Sequence, residues 1–346
     1  MTFLKGMDLS FVDEAEAAGG AYFDGDVRKD PIALMADLGM NAVRLRIWHD
    51  PPGGFCNLER TLAMAGRVKE RGLHFLLDFH YSDRWADPAN QWKPRAWEGL
   101  DAGGLREAVR RYTADVLSAL ARQGTAPDMV QIGNEVTPGM LWPDGRVDGE
   151  FDRDAQWRVF AGLLQAGASA VRAVCPGARV MIHIDRGGDW ETTRKFFGKM
   201  EELGVDYDVI GQSFYPWWHG TLDDLRRNLA LTAETFRRPI VVVETAYPWT
   251  LRKYGDSDLI VEREDQLAPG YPASVEGQSA YLRDFLRIVR ETPGGLGLGF
   301  YWWEPAWIPV KRDWSVGHPN NWANLTLFDY EGRRLATWDA LREDGA

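Results

Sequence analysis

The sequence predicts an α/β chain folded as a (β/α)₈ TIM barrel with long loops on its C-terminal face. Three observations carry that expectation. Short, nearly continuous apolar runs alternate with amphipathic stretches, the pattern of a parallel sheet covered on both faces. Eight such pairs fit within 346 residues as one closed barrel. The segments that follow strands are long, at 81–102, 134–153, 245–275 and 304–334, whereas joins from helix back to strand are as short as Gly39-Met40 and Arg71-Gly72. No linker or low-complexity tract divides the chain, so residues 1–346 read as a single domain.

The strands are expected at 3–8, 41–48, 73–80, 128–133, 179–184, 208–214, 239–244 and 297–303. Each is a short run rich in branched and aromatic residues, such as NAVRLRIW at 41–48. Helices are expected at 30–38, 59–71, 103–122, 154–174, 190–203, 222–235 and 276–291, with an eighth at 335–343. No Gly-x-Gly-x-x-Gly follows the first strand, which removes support for a dinucleotide fold.

Composition narrows the partners. Forty Lys and Arg against 51 Asp and Glu leave a net charge of −11. That balance argues against nucleic acid and anionic membrane surfaces and favours a neutral or cationic ligand. No apolar run is long enough to span a bilayer. The first twenty residues lack the apolar segment of a signal peptide. The expected compartment is the cytoplasm if Met1 is native, and the exterior if a leader was trimmed. Two cysteines, Cys56 and Cys175, make no disulfide framework and no metal cluster; a single bridge between them stays open. Six scattered His without His-Glu-x-x-His give no zinc site. The acidic stretch YGDSDLIVERED at 254–265 lacks EF-hand spacing and reads as a solvated loop.

Sixteen tryptophans are the unusual number. Trp85, Trp92, Trp97, Trp142, Trp217 and Trp249 sit beside Pro, Asp or Gly in loop-like contexts, and as a set they are expected to meet a ligand such as a sugar ring.

The ends of the strands carry the chemistry. Strand two offers Arg44 and Arg46, then Trp48 and His49. Strand three ends in Asp78 and His80, strand four in Asn134 and Glu135, and strand five in His183 and Asp185. Strand six ends in Tyr215, strand seven in Glu244, and strand eight in Trp302, Trp303 and Glu304. Burying so many polar groups for stability alone costs free energy unless each finds a partner. Glu135 and Glu244 each end an apolar strand, three strands apart in a ring of eight. Two carboxyls facing each other across the barrel mouth suit glycoside hydrolysis, retaining at a separation of roughly 5–5.5 Å and inverting at roughly 6.5–9.5 Å. Asn134 is placed to reach a sugar 2-hydroxyl. His80 and His183 are expected to bond substrate or neighbouring carboxylates.

At these residues the chain resembles the family 53 glycoside hydrolases, the endo-β-1,4-galactanases, within a large clan of retaining barrels. The matching pieces run almost the full length, among them KGMDLS (5–10), GMNAVRLRIWHDP (39–51), LLDFHYSDRWADPANQ (76–91), VQIGNEVTPGMLWPDG (130–145), VMIHIDRGGDW (180–190), GQSFYPWWHGTL (211–222), VVVETAYPWT (241–250) and YWWEPAWIPV (301–310). The resemblance implies Glu135 as acid/base, Glu244 as nucleophile and Arg44 as the cation beside the nucleophile. It implies that Asn134, His80 and Tyr215 line the cleavage subsite, and that Trp85, Trp302 and Trp303 stack on sugar; Asp78 and Asp185 join them as substrate-binding candidates. The implied substrate is neutral galactan, with other β-glycosidases of the clan or a non-catalytic sugar-binding barrel as alternatives. Two departures stand out. The family usually reads Phe-Tyr-Trp-Glu-Pro on strand eight, and here Trp302 takes the Tyr place. Bacterial members hold calcium after strand seven with acids, a His and an Asn; Asp256 and Asp258 remain here without that His and Asn, so neither calcium nor another cofactor is expected.

Overall fold

A computed structural model describes residues 2–317 and 319–343. Eight parallel strands close a ring: β1 (Leu4–Asp8), β2 (Ala42–Ile47), β3 (His74–Phe79), β4 (Met129–Ile132), β5 (Arg179–Ile184), β6 (Val209–Phe214), β7 (Ile240–Thr245) and β8 (Gly297–Trp302). Each pairs with its neighbours in chain order, and β1 pairs with β8 to complete the circle. The helices are α1 (Pro31–Asp37), α2 (Leu58–Glu70), α3 (Ala102–Gln123), α4 (Asp154–Val174), α5 (Trp190–Glu202), α6 (Leu222–Phe236), α7 (Val275–Arg290) and α8 (Trp338–Glu343). Asp30, Asn57, Asp101, Asp189, Thr221 and Ser274 cap six of them through side-chain oxygens that accept orphan backbone N–H groups, each worth about 1 kcal/mol. Among the described residues no helix is long and apolar enough to cross a membrane.

The barrel interior changes character from bottom to top. Leu4, Ala42, Leu76, Met129, Met181, Val209, Val241, Leu298 and Tyr301 form one apolar plug inside the ring. Tyr301 reaches across because Gly6 has no side chain; a Cβ there would lie 2.3 Å from the Tyr301 ring. Strand side chains alternate, so positions two and four residues beyond the plug face the same interior, nearer the C-terminal mouth. Among them are Asp8, Arg44, Arg46, Asp78, His80, Gln131, His183, Asp185 and Ser213, with Tyr215 one step beyond Ser213, all buried. Greasy floor and polar mouth are therefore one pattern read along the same strands. The opposite strand faces pack outward with the helices in the larger core.

Several short elements lie outside the sequence expectations. A helix at Val12–Ala17, a hairpin of Tyr22–Asp24 with Val27–Lys29, a two-residue hairpin at Gly139–Met140 and Gly145–Arg146, and a turn of helix at Pro216–His219 decorate the barrel. The first hairpin ties the two ends of the chain together. Phe23 N–H donates to Gly332 O at 2.8 Å and Arg334 N–H donates to Phe23 O at 3.0 Å. Lys5 Nζ adds a bond to Leu341 O. Glu14, buried on the Val12–Ala17 helix, holds Lys311 Nζ at 2.5 Å and Ser315 Oγ at 2.6 Å. The loop after β8 is thereby fastened over the mouth. Cys56 and Cys175 are both free, buried thiols, which closes the question of a bridge.

Candidate active site

A cleft of about 540 Å³ opens at the polar mouth, within the size range of small-molecule sites. Its walls include Arg44, His80, Trp85, Asn134, Glu135, Asp185, Tyr215, Glu244 and Trp303, nine of the eleven residues expected from the sequence.

The carboxylate on β4 stands on a strained turn. Gly133 leaves the strand at φ 80° and Glu135 itself sits at φ 46°. A non-glycine residue in that left-handed region costs about 1–2 kcal/mol and persists only when its surroundings fix it. Gln91 Nε2 donates to Asn134 O at 2.7 Å, and Glu135 N–H donates to His183 Nδ1 at 3.3 Å. Glu244, at the end of β7, follows a shift in register with β6 between Gln212 and Ser213. One oxygen of Glu135, one of Glu244 and one ring nitrogen of His183 all lie within 4.8 Å of one another.

The two carboxylates have opposite surroundings. Arg44 Nη1 donates to Glu244 Oε1 at 2.8 Å, and Tyr215 Oη donates to Glu244 Oε2 at 3.0 Å. Burial pushes Glu244 up to about 7, with Arg44 pulling the other way. Glu135 has no salt bridge among the described residues; Ser213 Oγ donates to its Oε1 at 2.6 Å. Burial, then the charge of Glu244, then that of Asp185 drive Glu135 well above the ordinary carboxylate range. One proton held between the pair therefore settles on Glu135.

Arg44 organises the floor. Its Nη1 also meets Asp8 Oδ2 at 2.9 Å, and its Nη2 meets Asp78 Oδ2 and Asn134 Oδ1, each at 2.7 Å. With Oδ1 engaged, Asn134 turns its amide nitrogen outward. That nitrogen donates to Ala86 O at 2.7 Å and keeps a second N–H for the cleft. His80 Nδ1 accepts the Ala86 N–H at 3.0 Å and the Trp48 indole N–H at 3.1 Å, so its Nε2–H donates to Asp78 at 3.1 Å. Asp185, pushed up by burial, accepts from the Thr137 hydroxyl.

Two expected contacts are corrected. Trp302 does not reach the cleft: it is fully buried on the outer face of β8 beside Phe300, and its Nε1 donates to Leu325 O at 2.9 Å. Alternation along the strand sends Tyr301 and Trp303 inward instead. Asp78 is also fully buried and does not line the cleft; it acts from behind, on Arg44 and His80. The loop tryptophans divide as well. Trp85 lines the cleft, whereas Trp97 and Trp142 are buried, Trp217 and Trp249 are half-buried outside its wall, and Trp92 is 51% exposed.

The cleft also contains residues the sequence reading did not single out for binding. Trp218, Trp307 and Trp322 join Trp85 and Trp303 in an aromatic wall, with Trp303 and Trp322 edge to face at 4.5 Å. Arg46 lies 4.2 Å from the Phe11 ring and 4.5 Å from the Trp85 ring, with Nη1 on Glu304 at 2.5 Å. Such stacking adds to the ion pair with Glu304 in stabilising the buried cation. Asp8 carried a readable signal, an acid at the end of the first strand. Arg46 carried another, two residues from Arg44 and so on the same face. Ser213 carried none.

Comparisons with known proteins follow the same lines. The profile described as Glycosyl hydrolase family 53 matches residues 4–341. A protein of Niallia circulans described as an uncharacterized protein in the bgaB 5′ region is 61% identical over 342 residues, 98% of this chain and 93% of the relative. An arabinogalactan endo-β-1,4-galactanase of Cellvibrio japonicus (strain Ueda107) is 36% identical over 335 residues, 94% of this chain and 86% of the relative. The GH53 catalytic domain of Ignisphaera aggregans superposes with a TM-score of 0.92 at 38% identity, covering 98% of this chain and 95% of that one.

Proposed function

Because the chain belongs to glycosyl hydrolase family 53, we propose that it hydrolyses β-1,4-galactosidic bonds within galactan, with retention at the anomeric carbon. The single observation that carries the mechanism is the close approach of two carboxylates in opposite surroundings. Oxygens of Glu135 and Glu244 lie within 4.8 Å, on the near side of the spacing that divides retaining from inverting sites.

In this reading Glu244 attacks the anomeric carbon as Glu135 gives its proton to the departing glycosidic oxygen. The C–O bond breaks with its electron pair on the leaving sugar, and a galactosyl ester forms on Glu244. Glu135, now ionised, takes a proton from water, and that water oxygen opens the ester from the face the leaving sugar vacated. Arg44 and Tyr215 hold Glu244 on both oxygens and so fix its line of attack. The free N–H of Asn134 meets the sugar 2-hydroxyl, where bonding strengthens in the transition state. Trp85 and Trp303, with Trp307 and Trp322, offer apolar faces to sugar rings. The reading calls for no metal. At the acidic loop, Lys253 Nζ lies 2.8 Å from Glu262 and 3.6 Å from Asp258, so a side-chain cation already serves those carboxylates.

Product analysis on linear β-1,4-galactan tests substrate and roles together. Glu244→Ala is expected to lose about 10³-fold or more in turnover, and to gain synthesis from an α-galactosyl fluoride and a sugar acceptor. Glu135→Gln is expected to lose most activity on polymer while still binding oligosaccharide. Wild-type rates in either variant would overturn the assignment. Faster cutting of mannan or β-glucan than of galactan would overturn the substrate.

A further inference from the structure

Glu135 is gripped on one oxygen by a chain of hydrogen bonds whose direction is set three groups away. The chain starts at backbone. Glu135 N–H can only donate, and it points at His183 Nδ1. Gln131 Nε2 lies 3.0 Å from the same nitrogen, but its two hydrogens are shared with Asp78 Oδ1 at 2.7 Å and Gly133 O at 3.0 Å, so the backbone N–H sets the direction. Asn134 Oδ1 also lies 3.1 Å from Nδ1 but already accepts from Arg44 Nη2 at 2.7 Å, whereas the backbone hydrogen is fixed in place; it makes Nδ1 the acceptor, and the ring carries its hydrogen on Nε2. That hydrogen faces Ser213 Oγ at 2.8 Å. Ser213, already accepting, has one hydrogen to give, and Glu135 Oε1 lies 2.6 Å away to receive it. His183 and Ser213 are fully buried, so water cannot substitute for either.

We infer that Ser213 and His183 are positioning residues that reserve Oε1 of Glu135 as an acceptor and so confine its catalytic proton to Oε2, the oxygen left for substrate. The inference rests on the acid/base reading of Glu135. When the Oε2–H bond breaks and the proton passes to the glycosidic oxygen, the new charge on Glu135 is met at once by the Ser213 hydroxyl. The neutral state the chain requires of His183 is consistent with its surroundings: burial, then the nearby charge of Arg44, holds its pKa well below the ordinary value. The charged groups facing Glu135 itself are Glu244 from β7, Asp185 after β5 and Asp87 from the loop after β3, with the Tyr215 hydroxyl beside them. All are acidic, so Ser213 is the element that eases ionisation of Glu135.

The test compares kcat/KM on galactan, whose leaving sugar needs a proton, with kcat/KM on a dinitrophenyl β-galactobioside, whose leaving group does not. Ser213→Ala is expected to lose about 30-fold on galactan, the scale of a hydrogen bond to a charged group, and less than about threefold on the aryl substrate. Removing a donor to the ionised form raises the pKa of Glu135, so the alkaline limb moves up by about one pH unit. His183→Leu is expected to move the limb the same way, and the double variant no further than Ser213→Ala alone. His183→Leu carries the test alone if Ser213→Ala does not fold. Glu135→Gln is the control. If it discriminates between the substrates but Ser213→Ala and His183→Leu lose both equally, with an unmoved limb, the positioning inference is overturned and the acid/base assignment stands. If Glu135→Gln itself fails to discriminate, the acid/base assignment is what falls.

Discussion

Replacing Arg44 with methionine keeps most of the side-chain length and removes the charge that three buried carboxylates share. Asp8, Asp78 and Glu244 each lie within 2.9 Å of a guanidinium nitrogen, and Asn134 completes the set. Breaking a buried ion pair from one side costs about 3–5 kcal/mol. A chain of 346 residues has an unfolding entropy near 0.7 kcal/mol/K, at about 2 cal/mol/K per residue, so the melting temperature should fall by about 4–7 °C. The loss should depend on pH in a definite direction. Arg44 lowers the pKa of Glu244, so its removal raises it further and moves the acid limb of kcat/KM upward. Protonated Glu244 needs no cation, so the deficit in melting temperature shrinks as pH falls through that raised pKa and is largest above it. Calorimetry from pH 5 to 8 with the rate profile over the same range measures both. A deficit constant across that range, or an unmoved acid limb, would show that Arg44 does not govern the charge of Glu244.

Other consequences are simpler to measure. Proton NMR of early products from wild type should show the β-anomer first, as expected of carboxylates this close; the α-anomer first would refute the double displacement. Glu135→Gln should raise the melting temperature at pH 8 by an amount worth about 1 kcal/mol and change it little at pH 4, because a buried carboxyl with a raised pKa is folded at a cost only once it must ionise. Trp303→Ala should weaken binding to galactan by about 10-fold or more, whereas Trp302→Phe should affect melting more than KM; the reverse would restore Trp302 to the cleft. Cys56, its thiol pushed up to about 12 by burial, should react with a thiol reagent only after unfolding.

All eight barrel strands were legible in the chain to within one or two residues, because each is a short run rich in apolar and branched residues bounded by turn residues. What escaped were elements too short to have a period. Val12–Ala17 is a six-residue helix held by tertiary bonds from Glu14 rather than by propensity, and Pro216–His219 is a single turn. The polar mouth was legible wherever a charged residue ended a strand. Trp302 shows the limit. Its neighbour Trp303 has the same composition signal, and only strict counting of alternation from Tyr301 separates the inward ring from the outward one. Ser213 shows a different limit, since a serine in a strand gains meaning only when the barrel closes and brings β4, β5 and β6 side by side.

The pairing of β1 with β8 has a consequence for how the chain is made. At roughly 5–20 residues per second, a ribosome needs on the order of 15–60 s to go from the first strand to the last. Throughout that interval β1 has one edge unclaimed, the kind of edge that recruits strands from other molecules. Lys5 stands in the middle of that strand, and charged side chains, lysine above all, are what edge strands use to repel intruders. The ammonium that ends on Leu341 in the finished barrel is thus suited to guard the opening until its rightful neighbour arrives.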